Sequence, residues 1–335
     1  MNIRLPYLVF LGAAQTPADA KTAFGVRDWR PDACLAQWAL PAATVDLGLP
    51  RMAPAAAFAA GARTLLIGVA PFGGGIDSGW TASLVEALDA GLDIVSGMHE
   101  RLASRPEVAA AASRNGRTLH DIRHGDGRFP VASGQKRAGK RLLTVGTDCA
   151  LGKKYTTLAL ARAFVALGHA ATFRATGQTG VMISGAGVAI DAVVADFVAG
   201  AAEWLSPANA PGHWDLIEGQ GSLLHPAYAG VSLGLLHGSQ PDVLVLCHDP
   251  DRTALDGYPD FQIPPLDAVM ELNLTLARRT NPAVRCAAIA LNTSRVDPAV
   301  GRTIIERHQQ RYGLPVFDPM RSDLAPIVAA VVAPC

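Results

Sequence analysis

Short apolar runs alternate with helix-length amphipathic segments along most of the chain, and this alternation limits the fold that it can adopt. In the C-terminal half the apolar runs predict strands at residues 141–145, 171–175, 213–217, 242–247 and 286–291. The segments between them predict helices at residues 153–167, 191–205, 266–279 and 298–312. Apolar strands separated by helices are typical of a parallel sheet with helices on both faces. We therefore predict a parallel α/β domain here.

The N-terminal part repeats this alternation on a smaller scale. Strands are predicted at residues 6–12, 64–70, 92–96 and 118–122, and helices at residues 78–90 and 106–114. The predicted organisation is a smaller Rossmann-like α/β domain at residues 1–125, a linker at 126–140 and the larger domain at 141–335. The linker is rich in glycine and cations, so it is either a solvated connector or a basic lip beside a phosphate site.

Composition excludes several classes of protein. The 335 residues include 29 Lys+Arg and 29 Asp+Glu, and half are hydrophobic, which excludes a disordered chain and a general nucleic-acid surface. The five cysteines are scattered without a CxxC motif, which argues against a disulfide framework and a zinc site. The apolar stretch at residues 6–14 is too short to span a bilayer. We expect a cytoplasmic protein with a small-molecule substrate, no nucleic-acid or membrane partner, and alanine-rich helices compatible with a homo-oligomer.

The segment 146–155 carries the strongest chemical signal. It links a predicted strand to a predicted helix and contains two glycines followed by paired lysines. Glycines let backbone N–H groups turn toward an anion, the helix N-terminus adds positive potential, and a lysine can span phosphates. This pattern predicts a P-loop-type sheet. The predicted cofactor-binding residues are Gly146, Thr147, Asp148, Cys149, Ala150, Gly152, Lys153, Lys154 and Tyr155.

Lys154 departs from the usual P-loop pattern. It occupies the position where nucleotide-hydrolysing P-loops carry the Ser or Thr hydroxyl that binds Mg²⁺. A second cation at this position favours binding a phosphate-bearing ligand over hydrolysing one, so the main interpretation requires no metal. Carboxylates from other loops could still hold Mg²⁺, so a magnesium site stays an alternative. The helix N-terminus and both lysines also favour a thiolate at Cys149. Cys149 is then either a small loop residue or the site of an acyl-cysteine intermediate.

Polar residues follow the other predicted strands, at the edge where parallel sheets bind ligands. A carboxylate that ends a buried strand is costly unless it is paired or faces a site, so Glu218 is predicted as a base or metal ligand. His248 and Asp249 are either a base and its orienting carboxylate or a polar turn before Pro250. The predicted catalytic residues are Glu218, His248 and Asp249. Arginine clamps and polar donors predict substrate contacts at Arg174, Gln178, Thr179, Gln220, Ser222, Arg252 and Arg295. The role of His225 stays open.

The loop is similar to that of dethiobiotin-synthetase-like P-loop enzymes. It has their GTDxxxGK pattern, and Glu218 matches the EGxG segment whose glutamate helps to hold Mg²⁺ in that group. This similarity implies an ATP- and Mg²⁺-dependent ligase or kinase as one alternative. A non-catalytic nucleotide-binding regulator is another.

A longer series of segments resembles DgcN-type D-glutamate N-acetyltransferases. The segments are PYLVFLG, AKTAFGVRDWRP, PFGGGI, SGMHERL, GTDCALGKK, TGQTG, EGQGSL and CHDPDR, and they follow the order of that family over nearly the whole chain. The resemblance implies a P-loop C-terminal half and transfer of acetyl from acetyl-CoA to the amine of D-glutamate, in D-amino-acid catabolism. It also implies phosphate binding by residues 146, 148 and 152–154. The common acetyltransferase CoA loop is absent, so the P-loop is expected to hold CoA.

Overall fold

The structure is a computed structural model that describes residues 3–125 and 127–333. The strands are β1 (Tyr7–Phe10), β2 (Cys34–Trp38), β3 (Thr64–Ile67), β4 (Asp93–Ser96), β5 (Leu119–Asp121), β6 (Lys140–Gly146), β7 (Ala171–Arg174), β8 (Trp214–Ile217), β9 (Val243–His248), β10 (Ala254–Leu255), β11 (Tyr258–Gln262), β12 (Arg285–Leu291) and β13 (Val316–Phe317). The helices are α1 (Lys21–Trp29), α2 (Pro54–Ala59), α3 (Thr81–Asp89), α4 (Pro106–Asn115), α5 (Lys153–Ala166), α6 (Gln178–Ser184), α7 (Val198–Leu205), α8 (Ala229–Ser239), α9 (Leu266–Ala277), α10 (Pro298–Tyr312) and α11 (Ala325–Val332). Within these residues, none of the helices combines the length and apolarity needed to cross a bilayer.

The chain divides into two compact units. The first comprises Met1–Gly127 and Gln178–Ala192, and the second comprises Arg128–Gly177 and Val193–Cys335. The segment that contains α6 therefore leaves the second unit and belongs to the first, where it packs against α1. The predicted C-terminal domain, residues 141–335, includes this segment. The predicted domain boundaries stay a prediction.

The first unit contains a parallel sheet in the order β2-β1-β3-β4-β5. All four residues of β1 and all four of β3 are buried, which matches their apolar sequences. This strand order is that of a doubly wound fold. The predicted Rossmann-like domain is confirmed. Strand β2 is not predicted from the sequence, because its five residues include a polar glutamine that interrupts the apolar run. In the structure Gln37 is buried and its side chain is satisfied by hydrogen bonds to the segment at residues 46–49.

The second unit contains a parallel sheet in the order β13-β12-β9-β6-β8-β7. On β6, Leu142 packs in one apolar cluster with α5 and α11, whereas its neighbour Leu143 packs in another with α7, α8 and α9. Alternate side chains of the strand therefore meet helices on opposite faces, and the predicted two-faced parallel sheet is confirmed. Strand β6 lies between β8 and β9, so the loop after it opens at the point where the strand order reverses. Ligands bind at such points in open α/β sheets.

The predicted linker is anchored at the other end of β6. The guanidinium of Arg141 is fully buried and donates to the carbonyls of residues 137, 138, 139, 206 and 207. Lys136 pairs with Asp242, and Arg137 donates to Ser206 and Gln240. These cations are held at the start of β6, whereas the Gly146 loop follows its end. The alternative of a basic phosphate lip is therefore wrong for Lys136 and Arg137.

Candidate active site

The loop between β6 and α5 has the predicted strand–loop–helix form. Strand β6 ends at Gly146, and α5 begins at Lys153. Gly152 has φ of 100° and Ala150 has φ of 53°, so the chain twice enters the left-handed region within three residues. Alternating right- and left-handed residues form the backbone concavities that bind anions. A Cβ at Gly146 would lie 3.2 Å from Nζ of Lys153, which leaves little room for any other residue there.

The ammonium of Lys153 lies inside this loop. The side chain is buried, and burial lowers its pKa. Among the described residues, its one hydrogen-bond acceptor is the carbonyl of Asp148, at 2.6 Å, and its stem passes 3.0 Å from the position of a Cβ on Gly219. An ammonium has three donors, so a bound phosphate would add acceptors that the loop itself does not supply. The Nζ of Lys154 lies 5.4 Å from the ring centroid of Tyr155.

Asp148 organises the loop through hydrogen bonds. One carboxylate oxygen accepts from the backbone N–H of Cys149 at 2.6 Å, and the other accepts from Nη1 of Arg252 at 2.6 Å and from the backbone N–H of Asp256 at 2.8 Å. Arg252 also donates to the carbonyl of Cys149. Both side chains are largely buried, with 0% and 12% exposed. Asp148 and Arg252, predicted as separate cofactor and substrate contacts, therefore tie the loop to the segment after β9.

His248 and Asp249 have different partners. Nδ1 of His248 lies 3.0 Å from the hydroxyl of Thr147 in the loop. The Asp249 carboxylate accepts from the backbone N–H of Asp251 and lies 3.7 Å from the guanidinium of Arg295. Burial lowers the pKa of His248 to about 4, so the imidazole is neutral at pH 7 and accepts protons weakly. The geometry favours a turn over an orienter–base pair.

His248 should make the stability of the protein depend on acidic pH. Its pKa is about 4 when folded, against an ordinary value of 6.5, so the unfolded chain binds more protons between these two pH values. Stability is therefore retained above pH 6.5 and lost as the pH falls toward 4. For His248→Gln we expect a shallower fall than for the wild type, by at most about 1.4 kcal/mol per pH unit. Urea unfolding at pH 7.5, 6.5, 5.5 and 4.5 measures this, and parallel curves for the two proteins would contradict it.

Glu218 joins the glycine loops after β7 and β8. Its buried carboxylate accepts from the backbone N–H groups of Thr176 and Gly177, at 3.0 and 3.2 Å. Gln220 donates to the Thr176 hydroxyl, and the buried Ser222 hydroxyl accepts from a neighbouring backbone N–H. The structure brings Glu218, Gln220 and Ser222 together with the β6 loop, because the same glycine loop contacts the Lys153 stem.

Three other predicted substrate residues have partners within their own units. Arg174 donates to the buried carboxylate of Asp215 at 2.8 Å. Asp215 lies on β8, two residues before the end of that strand. Gln178 and Thr179 belong to the first unit. There Gln178 accepts from Arg123, and the Thr179 hydroxyl bonds a second threonine hydroxyl. Each of these side chains is engaged within its own unit.

His225, whose role the sequence alone does not decide, lies beside the β6 loop. Its ring and the side chains of Asp148 and Cys149 place possible ligand atoms within 4.8 Å of one another. The set fits a metal ion poorly, because both oxygens of Asp148 accept N–H groups already. Nδ1 of His225 also accepts the backbone N–H of Ala227 at 3.1 Å, which leaves the ring proton on Nε2. The sequence signal that could have pointed to His225 is its position seven residues after Glu218, in the segment that follows β8.

The surroundings of Cys149 do not favour the predicted thiolate. Burial raises the pKa of this thiol, and the nearby Lys153 offsets that effect only in part. The acyl-cysteine alternative loses its chemical support, because a thiol is a far weaker nucleophile than a thiolate.

Comparison with known families agrees with this architecture. A family model described as "Domain of unknown function (DUF1611_C) P-loop domain" matches residues 130–328. A second, described as "Domain of unknown function (DUF1611_N) Rossmann-like domain", matches residues 39–125. The chain belongs to the DUF1611 family. The crystal structure of a DUF1611 family protein from Anabaena variabilis ATCC 29413 is 35% identical, with a TM-score of 0.90 over 98% of this chain and 99% of that one.

Two curated relatives of this DUF1611 chain carry a functional name. A "D-glutamate N-acetyltransferase" from Tritonibacter scottomollicae is 48% identical over 331 residues, 99% of each chain. A protein of the same name from Pseudoalteromonas sp. is 46% identical over 329 residues, 98% of this chain and 99% of its own. The family resemblance drawn from the sequence segments is confirmed.

Proposed function

We propose that this chain is a D-glutamate N-acetyltransferase that uses acetyl-CoA as its donor. The observation that carries the proposal is the similarity to two proteins of that name, at 46% and 48% identity over nearly the full length of each. Coverage on this scale includes both α/β units and every loop of the candidate site.

We propose that the β6 loop holds the diphosphate of CoA. Lys153 supplies a buried cation whose further donors suit phosphate oxygens, and Lys154 stands where a metal-binding hydroxyl is usual. CoA requires only that its phosphates be held, because the reaction takes place at the thioester. The loop then works as an anchor, and no phosphoryl chemistry is needed.

The proposed reaction is aminolysis of a thioester. The neutral amine of D-glutamate attacks the acetyl carbonyl carbon, a C–N bond forms, the C–S bond breaks, and a proton passes from the amine to the CoA thiolate. Glu218 and His248 act as positioning residues in this proposal, since Glu218 holds the loop after β7 and His248 contacts Thr147. Arg295 is 64% exposed and is the proposed clamp for a substrate carboxylate.

The cellular setting is also a proposal. The reaction would run in the cytoplasm as a step in D-amino-acid catabolism. The substrate is a small molecule, and the homo-oligomer that the alanine-rich helices allow stays a prediction.

A thiol-release assay tests the proposed function. Purified protein with acetyl-CoA and D-glutamate is expected to release free CoA and to form N-acetyl-D-glutamate in equal amounts, measured by a thiol reagent and by mass spectrometry. L-glutamate, D-aspartate and a reaction without acceptor are the controls. A parallel reaction with Mg²⁺ and ATP tests the ligase or kinase alternative. Consumption of ATP without thiol release for any acidic amino acid would overturn the proposal.

A further inference from the structure

Four aromatic side chains extend outward from the β6 loop. We call His225, Tyr228, Tyr258 and Phe261 the aromatic ladder. The ring centroid of His225 lies 4.5 Å from that of Tyr228 and 4.9 Å from that of Tyr258, and Tyr258 lies 6.0 Å from Phe261. His225 is buried beside the loop, whereas Tyr228 is 44% exposed and Phe261 is 48% exposed. The ladder therefore begins at the β6 loop and ends in solvent.

The outer part of the ladder is fixed to the same loop. Tyr258 and Phe261 lie on β11, which pairs with β10 in a hairpin. The hairpin turn is tied to the loop, because the backbone N–H of Asp256 donates to the Asp148 carboxylate. The rings are thus held in position relative to the loop. Exposing large aromatic rings to water is unfavourable in free energy, so a ligand that covers them would be favoured.

We propose that the aromatic ladder is the binding surface for the purine base of the ligand whose diphosphate occupies the β6 loop. In CoA, as in ADP, a ribose separates the base from the diphosphate. Of the exposed rings of the ladder, Tyr228 contacts His225 directly, and Phe261 follows His225 by way of Tyr258. Aromatic faces stack on bases without needing hydrogen bonds. The assignment to CoA rests on the proposed function, whereas the site for a purine beside a diphosphate does not.

The test separates the base from the phosphates. Dissociation constants of CoA, ADP, 4′-phosphopantetheine and inorganic pyrophosphate are measured by calorimetry with the wild type, Phe261→Leu and Phe261→Tyr. We expect Phe261→Leu to weaken CoA and ADP binding about tenfold, since base stacking on one ring is worth roughly 1.4 kcal/mol. Binding of 4′-phosphopantetheine and pyrophosphate should change by less than about twofold, and Phe261→Tyr, which keeps the π-face, should bind all four ligands as the wild type does.

Two controls keep the outcomes distinct. Trp204 is an exposed aromatic residue on α7, 62% exposed and in contact with Phe129, so Trp204→Ala should leave all four affinities unchanged. Tyr228→Leu repeats the test at the other exposed end. Equal weakening of all four ligands by Phe261→Leu, or no weakening of CoA and ADP by either leucine variant, would overturn the ladder as a base site. ADP binding that depends on Phe261 in a protein without acetyl transfer would uphold the base site and reject the proposed function.

Discussion

Lys153→Ala should raise the KM for acetyl-CoA by two orders of magnitude while changing kcat far less. The side chain is buried inside the β6 loop and is held by one carbonyl, so a phosphate is the partner that its charge lacks. Removing one partner of a buried charge pair costs about 2–4 kcal/mol, which corresponds to roughly 30- to 1,000-fold in affinity. Initial rates at varied acetyl-CoA, with D-glutamate saturating, measure the effect.

Lys154→Ala is the matched control for this variant. Its side chain is only partly buried and its ammonium lies near the Tyr155 ring, so we expect its loss to raise the KM by less than about tenfold. An unchanged KM for Lys153→Ala, or a larger effect from Lys154→Ala, would remove Lys153 from the role of phosphate ligand. Unfolding curves for both variants exclude general destabilisation as the cause.

The same lysine should link binding to pH. Burial lowers the pKa of Lys153 in the free protein, and a bound phosphate would raise it again. Above the lowered pKa, binding must take up a proton, so the affinity for CoA falls as the pH rises. Calorimetry in two buffers of different ionisation enthalpy detects that proton, and the uptake should be absent in Lys153→Ala.

The position of the loop could be predicted because its determinants are local. Gly146, Gly152 and Lys153 lie within eight residues, and the strand and helix around them have clear apolar patterns. The partners of Asp148 could not be found in this way, since Arg252 and Asp256 follow it by 104 and 108 residues. The burial that works against a thiolate at Cys149 could not be predicted for a related reason. The helix N-terminus is visible in the sequence, whereas burial of the thiol depends on the fold.

Helix α8 shows how packing can hide an element from sequence analysis. Its sequence AGVSLGLLHGS has three glycines, which lower helix propensity, so no helix is predicted there. A Cβ at Gly238 would lie 2.0 Å from the carbonyl oxygen of Ala199, and one at Gly234 would lie 2.5 Å from the side chain of Val198. The glycines are needed because α7 and α8 approach closely. The helix predicted at residues 191–205 is shorter in the structure than in the prediction. Helix α7 begins only at Val198, after two short 3₁₀ helices.

Asp148→Ala should destabilise the second unit and weaken acetyl-CoA binding together. The wild-type carboxylate is fully buried and bonds both the guanidinium of Arg252 and the backbone N–H of Asp256. Without it a largely buried cation loses its partner, and breaking such a pair costs about 3–5 kcal/mol. The hairpin also loses its tie to the loop, so the KM for acetyl-CoA should rise. Urea unfolding and initial rates measure the two effects.

A second substitution shows whether Asp148 positions the loop or touches the ligand. Arg252→Met in the Asp148→Ala background removes the unpaired charge, so the double variant should recover about 1–3 kcal/mol of the lost stability. Recovery of this kind means that the pair acts within the protein. If Asp148→Ala unfolds at the same urea concentration as the wild type and only the KM rises, the carboxylate contacts the cofactor directly, as the sequence alone suggested. The hydrogen bonds of Asp148 favour the first outcome, because its two oxygens already accept three N–H groups.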